Sequence, residues 1–334
     1  MEVAVVILNW NGKKLLERYI PSVIAHSHKA KIYVADNAST DDSLEFLTQK
    51  FPEIVIIKNV KNLGYAGGYN EALKYVEEDI YVLLNNDIEL THGWLDSILS
   101  LFKKSDYIAA IQPKIKSIQN PNKFDYAGAA GGFIDALGYP FCRGRIFDHI
   151  EKDSGQYDEN LEIFWASGAC LAIRKDCFRK VEGFDESYFA HQEEIDLCWR
   201  LKNIGYTIWC TPHSEVYHQG GGTLASSSPK KTFLNFRNSL NSLLKNSKKN
   251  PIPVIFLRMI LDGIAGMRFL FKGQFLHFFA ILRAHASFYG ILPEMYRKRK
   301  SLERKKQEFI VNSIVWHSFV LNIKSYNLLN KGNK

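Results

Sequence analysis

Residues 80–90 read Ile80-Tyr81-Val82-Leu83-Leu84-Asn85-Asn86-Asp87-Ile88-Glu89-Leu90: five apolar positions that run into two amides and a carboxylate. The apolar run has the length and composition of a buried strand. A core strand that finishes in three polar side chains has two explanations. Asn and Asp bend and cap backbones, so the segment can be a turn. Open α/β sheets also collect ligands at the carboxyl ends of their strands, so the same residues can hold a metal or a phosphate. The segment alone leaves both open.

Working outward, the first hundred residues alternate strand and helix signals. Residues 3–8, 31–35, 54–58 and 80–84 read as strands, with helical spacing over 13–26 and 68–77 and a helix start at Ser39-Thr40-Asp41-Asp42. Such βαβα order with short connections predicts a mostly parallel sheet flanked by helices, whose strand ends converge on one rim. Each predicted end carries amides or carboxylates: Asn9 and Asn11 with Trp10 between them, then Asp36 and Asn37, then Asn62 to Asn70, then Asn85-Asn86-Asp87. The third end, with Gly64, Gly67 and Gly68, is neither a GxGxxG nor a P-loop, so the dinucleotide and ATP motifs fail. It reads as a tight turn with close helix packing or as a ligand cradle. Asp36 is placed to accept from a ribose hydroxyl or a base N–H. Trp10 reads as a core residue.

From 107 to 162 the periodicity loosens into a Gly-rich stretch that predicts irregular loops over a site. Order returns over 165–173, a strand, and 175–181, a short helix. Glu193, Glu194 and Asp196 then crowd the first turn of a helix running to about residue 203. Acids there gain from the helix dipole, and Asp196 can pair with Arg200 at i,i+4. Their mutual repulsion also raises at least one pKa toward the range of a general base. His218 follows a strand-like 207–210 and precedes Gly220-Gly221-Gly222, where the backbone can approach a ligand closely. It is a candidate nitrogen ligand for a divalent cation held by oxygens.

The ordered set ILNWNG, VADNASTDDS, NLGYAGGYN, LLNNDIE, FDESYFAHQEEIDLCWRL and VYHQGGGT, spread over roughly residues 1–240, resembles inverting family 2 glycosyltransferases of the rhamnosyltransferase-like and galactofuranosyltransferase-like bacterial branch. The resemblance implies a GT-A, Rossmann-like sheet, a nucleotide-sugar donor and a Mg2+ or Mn2+ cofactor. It implies that Asn85-Asn86-Asp87 stands for the family's DxD element with its first acid replaced, that Asp87 and His218 hold the metal, and that Glu194 is the catalytic base next to Glu193. Asp196 belongs to the same candidate catalytic cluster. The same likeness places Asn9, Asn11, Asp36, Asn62, Gly67, Gly68, Asn70, Asn85 and Asn86 around the donor. Within the branch the donor is dTDP-L-rhamnose, with UDP-galactofuranose or another UDP-hexose as alternatives. A non-catalytic nucleotide-binding module is the rival of another class.

The net charge of +8 hides a division. Residues 1–232 carry 25 Lys/Arg against 31 Asp/Glu, and residues 233–334 carry 18 against 4. This suggests a catalytic domain over 1–232 and a basic helical region over 233–334 that works at a polyanionic surface. No helix-turn-helix, zinc-finger or RNA-binding signature is present, which argues against nucleic acid. Apolar blocks in the tail are interrupted by Arg258, Asp262, Arg268, Lys272 and Arg283, a pattern of helices lying in a membrane interface rather than spanning it. Arg297-Lys298-Arg299-Lys300 and Arg304-Lys305-Lys306 add attraction to anionic lipid. Packing against the catalytic domain, or an oligomer, is the alternative. The N-terminus has no basic n-region or cleavage site, and the five cysteines form no CxxC pair. These features predict a cytoplasmic protein, peripheral on the inner face of the membrane, that acts on a glycan or lipid-linked glycan acceptor.

Overall fold

The computed structural model describes residues 1–220 and 228–329. Its first half follows the predicted alternation: β1 (Val3–Asn9), α1 (Lys13–His26), β2 (Lys31–Asp36), α2 (Ser43–Lys50), β3 (Val55–Lys58), α3 (Gly64–Ala72), β4 (Ile80–Asn85), β5 (Ile88–Leu90) and α4 (Trp94–Phe102). Strands β3, β2, β1 and β4 are parallel neighbours in that order. Alternate residues of each strand point to opposite faces, and both faces are covered. Val5, Ile7, Val34, Val82 and Leu84 pack with Leu16 and Ile20 of α1 and Trp94 of α4. Val6, Tyr33, Ala35, Tyr81 and Leu83 pack on the other side with Tyr69 of α3. That is why these strands read as continuous apolar runs.

The sheet then widens: β6 (Ile108–Ser117), four short strands β7 to β10 (Gly132–Ile134, Pro140–Cys142, Arg145–Ile146, His149–Ile150), β11 (Leu161–Ile163), β12 (Cys170–Arg174), α5 (Lys175–Lys180), α6 (Glu193–Asn203) and β13 (Thr207–His218). The order is β11-β13-β6-β12-β4-β1-β2-β3, with β5 added beside β13. Strand β12 runs antiparallel between β4 and β6, and β13 runs parallel to β6.

Three expectations are corrected here. Residues 107–162 are ordered: β6 is a central strand, and β7 to β10 form a second sheet. The glycines that suggested loops permit close packing instead; a Cβ on Gly132 would lie 2.1 Å from the Trp165 ring. The strand after α6 extends to His218 instead of stopping at Cys210. Trp10 is 44% exposed at the sheet rim and is not core.

The tail forms α7 (Pro229–Asn246), α8 (Ile252–Phe271), α9 (Phe275–Ser301), α10 (Ile314–Phe319) and α11 (Tyr326–Leu329). The charge-based boundary at 232 falls inside α7. Helix α7 is joined to α6 by a buried ion network: Lys245 contacts Asp185 at 2.6 Å and Asp196 at 2.8 Å, and Arg200 Nε meets Asp196 at 2.8 Å. Lys298 of α9 reaches Asp185 at 2.7 Å. Beyond α9 the chain folds back, burying Val311, Ile314, Tyr326 and Leu329 in the core cluster that also holds α6 residues. Part of the basic run is therefore spent internally, since Arg299 also donates to the carbonyls of Leu244 and Ser247. Helix α9 is, among the described residues, the one helix whose length and composition suffice to cross a bilayer. Its Ala280, Ile281, Ala284, Phe288 and Met295 are buried inside the protein.

Candidate active site

The carboxyl ends of β1, β2 and β4 meet in one hydrogen-bonded layer. Asn86 Nδ2 donates to Asn9 Oδ1 at 3.0 Å. Asn9 Nδ2 in turn donates to Ser39 Oγ at 3.2 Å and Asp36 Oδ1 at 3.4 Å, while Ser39 N donates to Asp36 Oδ2 at 3.0 Å. Asn9 and Asp36 are 0% and 2% exposed. Asn9 has both polar atoms engaged and braces the rim from beneath. Gly12, which the sequence reading did not single out, is wedged against this layer: a Cβ would lie 2.3 Å from Asn86 Nδ2 and Asn9 Oδ1. Asn11 is exposed above it, with φ 50°. Its Oδ1 accepts from Thr40 N at 2.7 Å and orders the turn after β2.

The Gly-rich turn packs closely. Gly64 opens α3 at φ +71°, and its missing Cβ makes room for the Phe189 carbonyl, which accepts from Tyr65 N and Ala66 N at 2.7 and 3.2 Å. Gly67 and Gly68 let the helix approach Leu63, Leu8 and Asn37. Asn70 is a strap, with Nδ2 donating to Phe184 O at 2.8 Å and Oδ1 accepting from Phe184 N at 2.9 Å. Gly67, Gly68 and Asn70, expected around the donor, thus also fix the turn and the start of α3. Asn62 remains half-buried at the turn, where its Oδ1 accepts from Gly64 N and Asn37 Nδ2.

Residues 131 positions apart come together through strand pairing. Strand β13 pairs antiparallel with β5, His218 opposite Ile88. That register sets His218 Nε2 3.1 Å from Asp87 Oδ1. Behind the ring, Nδ1 is 2.8 Å from Oδ1 of Asp125. Asp125 lies in the stretch taken for loops, and no local signal marked it. Burial works to lower the His218 pKa, but the hydrogen bonds to Asp125 and Asp87 outweigh it and hold the imidazolium up to about 10. Among the described residues no three of His, Cys, Asp and Glu converge on one point. With the Nε2 proton displaced by the ion, a carboxylate oxygen and an imidazole nitrogen are nonetheless a fitting pair of donors for Mg2+ or Mn2+, which take substrate oxygens and waters for the rest. Asp125 orients the imidazole as such donors require. Gly221 and Gly222, named beside His218, lie outside the described residues.

Glu193 and Glu194 open α6. Their Oε2 atoms are buried without a hydrogen-bond partner. Burial raises the Glu194 pKa to about 7 against the pull of backbone N–H groups. Burial first, then the charge of Glu194, push Glu193 well above the carboxylate range. Asp196 is different. Burial would raise its pKa, but Lys245 and Arg200 hold it low, and it is 0% exposed. It belongs to the ion network under α6, paired with Arg200 and Lys245.

The pair of glutamates shares a strip of structure with the strand ends. Tyr65, whose hydroxyl donates to Gly168 O at 2.7 Å, feels the charge of both. Next to Gly168, Ala169 O accepts from Asn85 N at 3.0 Å. Among the described residues Glu194 makes no direct contact with Asp87 or His218.

The loop entering α6 is strained. Phe189, His191 and Gln192 have φ of 64°, 68° and 73°, each costing roughly 1–3 kcal/mol for a non-glycine residue. Asn238 Nδ2 holds it by donating to Tyr188 O, Ala190 O and His191 O at 3.0, 3.1 and 2.7 Å. Arg237 Nη2 adds Ser187 O at 2.9 Å and Tyr188 O at 3.2 Å. Arg237 and Asn238, both on α7, thereby tie the C-terminal helices to the loop that carries the glutamates.

A nine-stranded sheet with helices on both faces and polar strand ends gathered at one rim is the GT-A fold of glycosyltransferases. The chain belongs to Glycosyl transferase family 2, which residues 4–182 match. It is similar to the N-acetylglucosaminyl-diphospho-decaprenol L-rhamnosyltransferase of Mycobacterium tuberculosis, 27% identical over 64% of this chain and 75% of that protein. It is also similar to the rhamnosyltransferase WbbL of Escherichia coli, 26% identical over 65% and 83%. Among solved structures, S. aureus TarS 1-349 in complex with UDP-GlcNAc aligns with TM-score 0.56 at 14% identity, covering 89% of this chain and 83% of that one. GalNAc-T7 with UDP, GalNAc and Mn2+ aligns with TM-score 0.58 at 17% identity over 75% of this chain, which spans 48% of GalNAc-T7.

Proposed function

We propose that the protein is an inverting rhamnosyltransferase that moves L-rhamnose from dTDP-L-rhamnose to a hydroxyl of a lipid-linked glycan in surface polysaccharide synthesis. The observation that carries the reading is the Asp87–His218 contact at the sheet rim, with a glutamate of pKa about 7 opening the neighbouring helix. The names of the two rhamnosyltransferase relatives support the sugar, and that of the first supports a lipid diphosphate acceptor.

Asn11, Asn62 and Asn85 lie at the strand ends where the nucleotide would sit. Asp87 and His218 would hold a Mg2+ or Mn2+, whose charge offsets that of the departing diphosphate. Glu194 accepts the proton of the acceptor hydroxyl. The acceptor oxygen bonds to the anomeric carbon as the carbon–diphosphate bond breaks on the opposite face, which inverts the configuration.

Helix α8 carries an exposed apolar stripe at helical spacing, Ile252, Phe256, Ile260, Ile264, Met267 and Phe271. With Arg268 and Lys272 beside it, the stripe suits the inner face of an anionic membrane. A second donor reading, a UDP-hexose, is favoured by the hexosyltransferase Agl10 of Haloferax volcanii, 22% identical over 81% of this chain. Thermal shift with a panel of nucleotide sugars and Mn2+ separates the two, because a bound donor stabilises by mass action. A shift with dTDP-L-rhamnose and none with UDP-hexoses is expected. The reverse pattern rejects the rhamnosyl assignment.

A further inference from the structure

An open groove of about 570 Å3 lies between the start of α7 and the start of α9, next to Phe189. Lys230 and Arg237 on α7 and Arg283 on α9 line it, and among the described residues no carboxylate does. Their charges sit over aromatic faces: Lys230 over Phe189 at 4.9 Å, Arg237 and Arg283 over Phe233 at 5.2 and 5.7 Å. Such faces attract cations but leave their charge available to an anion. The remaining wall is apolar. Leu276 and Phe279 line the groove from α9 and are 70% and 56% exposed. Leu276, Phe279 and Arg283 follow one another at i, i+3 and i+7, so a single helix face carries both the apolar wall and a cation.

Phe189, which lines the groove, is two residues before the strained His191-Gln192 pair that leads into Glu193 and Glu194. The cations and the exposed apolar start of α9 line the same groove. We infer that this groove holds the lipid-phosphate end of the acceptor, with the phosphate or diphosphate on Lys230, Arg237 and Arg283 and the first part of the lipid along Leu276 and Phe279. An acceptor built as sugar, then phosphate, then hydrocarbon carries both the anion and the apolar chain that this lining suits, beside the loop that leads to Glu194. Its sugar hydroxyl points toward Glu194 while its chain leaves toward the membrane-facing helices. Neither bulk anionic lipid nor the donor's own diphosphate requires both a cationic centre and an apolar exit beside the base-bearing loop.

The inference rests on the transferase reading with a lipid-linked acceptor, and its test can fail separately. Calorimetric titration of the full-length protein with n-decyl diphosphate is compared with dTDP plus Mn2+ and with vesicles containing phosphatidylglycerol. The double variant Lys230→Glu, Arg283→Glu is expected to lose decyl diphosphate affinity by about tenfold or more, as charge reversal at a recognition surface does, with dTDP affinity unchanged. The charge-preserving variant Lys230→Arg, Arg283→Lys is expected to keep it. Equal decyl diphosphate affinity in wild type and double variant overturns the assignment. So does a parallel loss of dTDP binding, or a loss confined to vesicles, which makes the groove a general lipid contact. If the wild type transfers sugar from no nucleotide sugar, the transferase reading fails instead, whatever the groove binds.

Discussion

Replacing Glu194 by Gln removes the proposed proton acceptor while keeping the shape of the side chain. General-base catalysis contributes roughly 10²–10⁴ in rate, or about 3–5 kcal/mol, and the substitution is expected to cost that much in kcat. The wild-type pH profile follows from the same residue. With a pKa of about 7, Glu194 is half ionised at neutral pH. A protonated carboxyl cannot accept a proton, so the rate falls as pH falls. At one unit below the pKa only about a tenth of the plateau remains, and the plateau is reached about one unit above it. Burial and the charge of Glu194 raise the Glu193 pKa as well, but Glu193 is not the proposed proton acceptor. Glu193→Gln keeps the titrating Glu194, so its rate is still expected to fall as pH falls. Steady-state transfer measured from pH 5.5 to 9 on wild type and both variants supplies the test. A wild-type profile flat through pH 7, or a Glu193→Gln defect as large as that of Glu194→Gln, refutes the assignment of the base.

Two further outcomes are expected. Asp125→Asn keeps the shape behind His218 Nδ1 but removes the charge, and metal affinity should fall about 10- to 100-fold; manganese paramagnetic resonance reads this directly, and unchanged affinity counts against an orienting role. Asn238→Ala frees the three carbonyls of residues 188, 190 and 191 and should destabilise the protein by about 1–3 kcal/mol, with kcat falling more than donor affinity; thermal melting and kinetics check both parts, and a kcat at the wild-type level argues that the strained loop needs no anchor.

The first four strands and their rim were legible because each is a short apolar run, β1 and β4 buried on both faces and the edge strand β3 less so, and a polar residue at its end stands out. The amide layer was legible for the same reason, although its inner members, Asn9 and Asp36, turn out to be buried. Strand β13 was cut short because Pro212, His213, Ser214 and Glu215 look like a loop. They sit at a register shift between Thr211 and Glu215, and the partner strand places Pro113 opposite Thr211, where a missing N–H is tolerated. The second sheet was missed because strands of two or three residues carry no periodicity, and its glycines answer distant side chains such as Trp165. Asp125 could not be found from sequence, since its meaning depends on a histidine 93 positions away. Asp196 read as part of an acid cluster because its neutralising partner, Lys245, is likewise brought in only by folding.

The most direct measurement is a Mn2+ titration of the full chain with dTDP, followed by electron paramagnetic resonance, on wild type, Asp87→Asn, His218→Ala, the double variant and Glu194→Gln. Each single ligand variant is predicted to weaken the ion at least about tenfold, the two losses to be non-additive, and Glu194→Gln to bind as the wild type does. Wild-type affinity in either ligand variant, or independent additive losses, would mean that Asp87 and His218 do not share one cation.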